Sequence, residues 1–409
     1  MNPRQASMAF IFATVLIDMV SIGLIIPVLP LIAGSFSSTQ AEHAQAFLWV
    51  AASFGIANFF GSSVLGALSD QYGRRPVLLL GFMGLALSFF VTAAATALWM
   101  LVVVRLFSGA MQANVSVANA YVADITPPQD RAKRFGLLGA AFGIGFILGP
   151  ATGGLLGEID IRLPFWVAGC LALLNLAYGY FVLPESLPLE RRRSFDWRRA
   201  NPVSALSGLA QLKSVGPLVW VIALSSLAQF IVHSSWVLFT SFKFGWGPRD
   251  NGLSLFAVGF MSALVQGFLL PRMLKRFPTQ KLVVWALASS SLTYLGWALV
   301  PQGWMLVALI VLNVFGYAAQ ASIQSIVSNA VDATRQGATM GAVSSLNSLM
   351  AVLGPIIGPT LLIQVAGLPQ GDWRIGTPFL LCAALQVLAL LMALQWQRTH
   401  PLIPEQAHA

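Results

Sequence analysis

The sequence predicts an all-α integral membrane protein of twelve transmembrane helices in two pseudo-symmetric six-helix halves. Three observations carry that expectation. The 409 residues are 57% hydrophobic and 9% charged, whereas a soluble domain carries roughly 25% charged residues, so most of this surface must meet lipid. The apolar stretches run about 18 to 28 residues, enough as helices to cross a hydrocarbon core of about 30 Å and too long for barrel strands. Finally, glycine, proline and basic-loop patterns in the first half return in the second at an offset near 201–205 residues (for example 354 − 149 = 205), as in transporter folds built from repeats.

Taken in order, the helices fall near 8–32, 46–67, 76–95, 97–123, 135–157, 162–183, 216–239, 250–272, 281–300, 303–330, 337–365 and 376–397. The first stretch is too long for a signal-peptide core and has no small-residue cleavage site, so it reads as a retained helix. Helix 1 holds Asp18, the one acid placed deep in a helix, with Thr14 and Ser21 on the same face at i−4 and i+3. A buried ionisable group in a membrane is a functional candidate by default. Asp18 is read either as a carboxylate that alternates between protonated and charged forms in a central cavity, or as a permanently paired structural group.

Helix 2 leads into the loop Gly66-Ala67-Leu68-Ser69-Asp70-Gln71-Tyr72-Gly73-Arg74-Arg75-Pro76, a tight turn with one acid and two arginines. Two readings fit it: a charge-assisted clasp between helix ends that gates a conformational change, or a fixed turn that sets topology. Helix 4 carries Arg105, Ser108, Gln112, Ser116 and Asn119 as a stripe and closes at Asp124. Arg105 is the one basic residue placed in a membrane core, either coupled to Asp18 or to a substrate carboxylate, or serving as a hydrogen-bonding hub. Helix 5 contains Gly145-x-x-x-Gly149-Pro150-x-x-Gly153-Gly154, a close-packing and bending pattern.

After helix 6, residues 184–215 form the longest polar segment, with Arg191, Arg192, Arg193, Arg198 and Arg199. They separate a first half, 1–183, from a second, 216–409, and suit a linker lying on anionic lipid headgroups. In the second half, helix 7 places Gln229 and His233 four residues apart. Gln266 falls in helix 8, and Asn313, Gln320 and Gln324 run along helix 10. Uncharged amides suit a small molecule held by hydrogen bonds and apolar contacts. His233 titrates near neutral pH and is read as a proton carrier or as a helix-contact residue. Helix 11 repeats the glycine-proline pattern as Gly354-Pro355-x-x-Gly358-Pro359.

Charge and cysteine use exclude other classes. Starting with the N-terminus inside and alternating sides, eighteen of the 23 Lys and Arg fall on the cytoplasmic side. That is the positive-inside pattern, with both termini cytoplasmic. The net charge of +9 is therefore a topology signal and not a nucleic-acid patch. Cys170 and Cys382 lie in separate helices and read as packing residues. No ATP-binding loop, metal-ligand pattern or nucleophile constellation is present, so neither an enzyme nor a cofactor is expected.

The loop from Gly66 to Pro76 resembles the helix 2–3 signature of the major facilitator superfamily. Arg105-x-x-x-Gly109 resembles that superfamily's helix 4 motif, and Gly149-Pro150 the helix 5 motif of its proton-antiporter branch. Four further stretches resemble the tetracycline/proton antiporters: 18–30 (DMVSIGLIIPVLP), 74–80 (RRPVLLL), 97–100 (ALWM) and 236–240 (WVLFT). The resemblance implies the major facilitator fold, a bacterial inner-membrane location, and export of a drug-like molecule in exchange for protons by a monomer. It also marks departures. Acids that tetracycline pumps carry in helices 3 and 9 fall at Ser88 and Ser290, and a helix 8 histidine falls at Ser262. The scaffold is kept while part of that coupling chemistry is absent. Import or facilitated passage of a metabolite, and a non-transporting receptor on the same fold, stand as the competing expectations.

Overall fold

The computed structural model describes residues 3–112, 114–196, 218–329 and 333–399. Among them the secondary structure is helical throughout, without strands. Eleven helices are long and apolar enough to cross a membrane, and a bent pair makes the twelfth. They are α1 Met8–Gly34, α2 Gln40–Tyr72, α3 Arg74–Ala94, α4 Leu98–Ile125, α5 Lys133–Ile159 and α6 Leu163–Val182. The rest are α7 Leu218–Phe244, α8 Pro248–Arg276, α9 Thr279–Leu299, α10 Gly303–Leu312 with Gly316–Val327, α11 Ala342–Val365 and α12 Trp373–Arg398. The latter part of the expected linker, 197–215, with Trp197, Arg198, Arg199, Pro202 and Lys213, lies outside the described residues.

The chain divides into two compact units, Met1–Pro202 with Trp246–Phe256, and Val203–Gly245 with Ala257–Ala409. The first turns of α8 group with the first unit because Gly252 packs directly on Gly154 of α5. Inside the first unit, Phe10, Ile11 and Val15 of α1 meet Leu78 and Phe82 of α3 and Tyr121 and Val122 of α4. In the second, Val221 and Ile222 of α7 meet Leu287 of α9, Ile326 of α10 and Leu346 of α11.

Beyond a turn at 26–28 in α1, between the segments Pro3–Ile25 and Leu29–Gly34, two helices expected to run unbroken are interrupted. In α4 the backbone leaves helical geometry at Gln112 (φ −88°, ψ 68°). In α10 it does so at Asn313 (φ −76°, ψ 40°), and the two segments meet at 55°. The breaks are 201 residues apart (313 − 112 = 201), the same separation as Gly66 and Gly267. A break inside lipid is tolerated only where the freed backbone groups find partners. Asn58 of α2 donates its Nδ2–H to the Gln112 carbonyl at 3.3 Å. Across the α10 break the Tyr317 hydroxyl donates to the Ile310 carbonyl at 3.2 Å. A π-helical turn, Val265–Leu269, adds a third irregularity, in α8.

Two smaller expectations change. α2 continues helically through Gly66 to Tyr72, so the turn is confined to Gly73. The Ser69 hydroxyl donates to the Gly66 carbonyl at 2.7 Å and keeps that end ordered. Cys382 is buried, its thiol on the Ala228 carbonyl, whereas Cys170 is exposed on α6 instead of packed.

Candidate functional site

Asp18 lies near the middle of α1 and is 5% exposed, with Thr14 and Ser21 each at 1%. The spacing put these three on one face, and all three are buried within the first unit. A small cavity of about 10 Å³ touches Thr14 and Asp18, and its remaining walls are Val15, Met19, Leu78, Phe82, Val115, Ala118 and Phe142. The α5 motif explains why the surroundings are so tight. A Cβ placed on Gly149 would stand 2.5 Å from the Gly23 Cα of α1, and Gly145 presses on Met19. Glycine at these positions lets α1 and α5 approach to backbone contact, next to the carboxylate; Pro150 sits within the same α5 stretch. From α6, Asn175 donates its Nδ2–H to the Thr14 carbonyl at 3.1 Å.

Arg105 is also 5% exposed, and its Nε and Nη2 have no hydrogen-bond partner. Among the described residues no ion pair joins it to Asp18. Gln112 sits at the α4 break, with its carbonyl taken by Asn58.

The residues singled out between α2 and α3 form one network. Arg74 pairs with Asp70 at 2.6 Å and with Asp124 at 3.1 Å, and donates to Ser69 Oγ at 2.6 Å. Arg75 donates to the Tyr180 carbonyl at 2.6 Å. Gly73 adopts φ 107°, a left-handed conformation, and any Cβ there would collide with the Glu185 carboxylate.

Glu185 was missed in the sequence, and it is the hub of this end. Its carboxylate accepts the backbone N–H groups of Arg74 at 2.8 Å and Arg75 at 3.2 Å, the free donors of the first turn of α3. It also accepts those of Ser186 and Leu187, each at 3.0 Å, and approaches Arg192 at 4.0 Å. Ser186 in turn donates to Asp124 at 3.3 Å. The only local signal was an acid one residue past a proline at the end of helix 6; its partners lie about 110 positions earlier.

In the second unit α7 is buried along most of its length, yet Gln229 and His233 are exposed. A helix whose exposed positions in mid-span are polar is suited to water and solutes and not to lipid. Gln266, exposed in the π turn of α8, donates to Ser262 Oγ at 2.7 Å. Gln320 and Gln324 are half-buried on α10. Asn313 is buried, and its Oδ1 accepts the Ser289 hydroxyl at 3.0 Å, so it is committed to the α9–α10 contact at the break. Ser88 and Ser290 are both buried.

A second missed feature closes the α7–α8 end of this unit. Lys243 is buried, donates from Nζ to the Ala298 carbonyl at 2.5 Å, and lies over the rings of Phe239 and Phe244. Its own carbonyl accepts the Gly371 N–H at 3.1 Å. Beside it, the Arg374 side chain, then the Arg374 backbone N–H, hold the Asp372 carboxyl below the usual carboxylate range. Among the described residues no group of three or more His, Cys, Asp or Glu is placed to hold a metal ion.

Comparison with known proteins agrees with this architecture. Residues 11–355 match the Major Facilitator Superfamily. The chain is 36% identical over 376 residues to the class C tetracycline resistance protein of Escherichia coli, covering 91% of this chain and 94% of that protein. It is 32% identical over 386 residues to the class B protein of Escherichia coli, covering 93% and 95%. The solved nucleoside transporter NupG superposes with a TM-score of 0.74 at 16% identity, covering 98% of this chain and 100% of that one.

Proposed function

This chain belongs to the Major Facilitator Superfamily, and on that footing we propose that it exports a drug-like small molecule, tetracycline among the candidates, in exchange for protons. The observation that carries the reading is Asp18. Among the described residues it is the one acid away from the ends of a membrane span, and it is buried beside the glycine seam of α1 and α5. A carboxylate in such a site is stable only when protonated or well partnered, so a change in its surroundings during transport takes up or releases a proton. Similarity to tetracycline resistance proteins over more than nine-tenths of the chain supports export of that class of compound. The exposed Gln229, His233 and Gln266, and the half-buried Gln320 and Gln324 of α10, supply hydrogen bonds for such a solute. Serine at 88, 262 and 290 means that the tetracycline-pump acids and histidine take no part here.

The transport cycle we infer exposes the substrate site alternately to the two sides of the membrane, with the Arg74 network as the gate. The protein works as a monomer in the bacterial inner membrane, with both termini in the cytoplasm. One proton driven by 100 mV supplies about 2.3 kcal/mol, which sustains a gradient of roughly 50-fold since about 1.4 kcal/mol is tenfold. Everted membrane vesicles energised with a proton gradient test the direction. They should accumulate labelled tetracycline or another amphipathic drug and lose it when a protonophore is added. Uptake of a metabolite in right-side-out vesicles, with no drug accumulation in everted ones, would overturn export.

A further inference from the structure

We propose that Thr14 holds a single water molecule against Asp18, and that this water lowers the carboxylate's affinity for its proton. The inference rests on the proton-carrying role of Asp18 proposed above and names the group that serves it.

Three observations meet at one place. The cavity between Thr14 and Asp18 measures about 10 Å³, close to the roughly 10–15 Å³ that one water requires by this measure. Thr14 is 1% exposed, and its Oγ1 has no hydrogen-bond partner. A buried hydroxyl left so costs about 1–3 kcal/mol, which a bound water recovers. Among the described residues the remaining walls, Val15, Met19, Leu78, Phe82, Val115, Ala118 and Phe142, offer no side-chain oxygen or nitrogen. A water there therefore has the Thr14 hydroxyl and the Asp18 carboxylate as its side-chain partners. Two to four polar partners are what an internal water needs.

The spacing that places the two residues together is one helical turn, i and i+4 on α1. Asn175 fixes the backbone of that turn by donating to the Thr14 carbonyl. The chemistry follows from the donor count. Thr14 accepts from or donates to the water, and the water donates to the ionised carboxylate, which stabilises the charged form. On protonation Asp18 becomes the donor to the water, which turns to accept it, and the Thr14 hydroxyl reorients. Thr14 is thus a positioning residue: it does not carry the proton. Among the described residues no other titratable group lines the cavity. Those on the packed elements are Arg105, Tyr121 and Asp124 of α4, Arg74 and Arg75 at the start of α3, Cys170, Tyr178 and Tyr180 of α6, and Lys133, Arg134 and Glu158 of α5. None of them touches the cavity.

Difference infrared spectroscopy of the purified full chain in lipid bilayers tests this without knowing the substrate. The Asp18 carboxylic band is assigned by its loss in Asp18→Asn, and its pH titration is followed in Thr14→Val and Thr14→Ser. Valine keeps the shape and removes the hydroxyl. It should move the titration midpoint upward by about one pH unit and shift the band to higher frequency. Serine should restore both. An unchanged midpoint and band in Thr14→Val would overturn the Thr14-held water while leaving Asp18 as the proton carrier. If no titrating band is lost in Asp18→Asn, the proton-carrying role itself fails, which is a distinct result. Should the valine variant not be recovered folded, Thr14→Cys, with its weaker donor, replaces it and should show the same direction of shift. No shift in that variant equally overturns the Thr14-held water.

Discussion

Replacing Glu185 with alanine removes one side chain and strips four backbone N–H groups of their acceptor. Two of these begin α3, so the loss resembles removal of a helix cap, about 1 kcal/mol. A carboxylate facing a helix N-terminus contributes about 0.3–1 kcal/mol more. The donors of Ser186 and Leu187 bring the total to about 2 kcal/mol. The side chain is a quarter exposed, so water replaces part of this and the figure is an upper estimate. For a unit of this size each kcal/mol moves the melting point by about 2–4 °C, so Glu185→Ala should melt roughly 4–8 °C below wild type in the same lipid. Glu185→Gln keeps an acceptor oxygen and should fall between the two. Thermal unfolding of the reconstituted protein, followed by intrinsic fluorescence, reads the difference. An alanine variant that melts within about 1 °C of wild type would show that this end is held by the Arg74 pairs alone.

Other expectations come from the same physical reading. Gly73→Ala forces a side chain into φ 107° and against Glu185; it should cost at least about 1–2 kcal/mol, seen as a lower melting point than that of Glu185→Gln. Tyr317→Phe removes the donor that crosses the α10 break, so amide exchange around Ile310 should quicken by about five- to tenfold, or about 1 kcal/mol. At Asp372 the folded carboxyl holds its proton less tightly than the unfolded one, near 3.9. Its contact with Arg374 is therefore complete above that value and is lost as pH falls through the lower folded one. Limited proteolysis of residues 366–375 should be constant from neutral pH down to that range and rise below it, and Asp372→Asn should abolish the dependence.

The twelve spans were legible because length and apolarity alone decide them, and the repeat because glycine and proline recur at matching places. The lone acid, Asp18, was legible for the same reason: a carboxylate in mid-span has no inconspicuous explanation. What stayed hidden depends on contacts across the fold. Glu185 sits in a polar linker, and nothing near it in sequence points to Arg74 and Arg75. The breaks at Gln112 and Asn313 looked like polar residues on continuous helices, because a helical stripe and a helix end give the same residue pattern. Asn313-Val314-Phe315-Gly316 did carry a signal, an asparagine followed by a glycine within a span. The face of Thr14, Asp18 and Ser21 follows from spacing on α1, but periodicity does not show how closely a neighbouring helix packs beside it; the glycines of α5, facing Met19 and Gly23, set that.

Proton-coupled export through Asp18 is tested most directly with purified protein in liposomes loaded with a pH-sensitive dye. An imposed proton gradient, addition of tetracycline and a panel of amphipathic drugs, and comparison of wild type with Asp18→Asn make the experiment. Drug-dependent proton movement in wild type that is abolished in the variant is the result expected here. Equal proton movement in both proteins would take Asp18 out of the mechanism and turn attention to His233. Substrate flux without any proton movement would contradict antiport altogether.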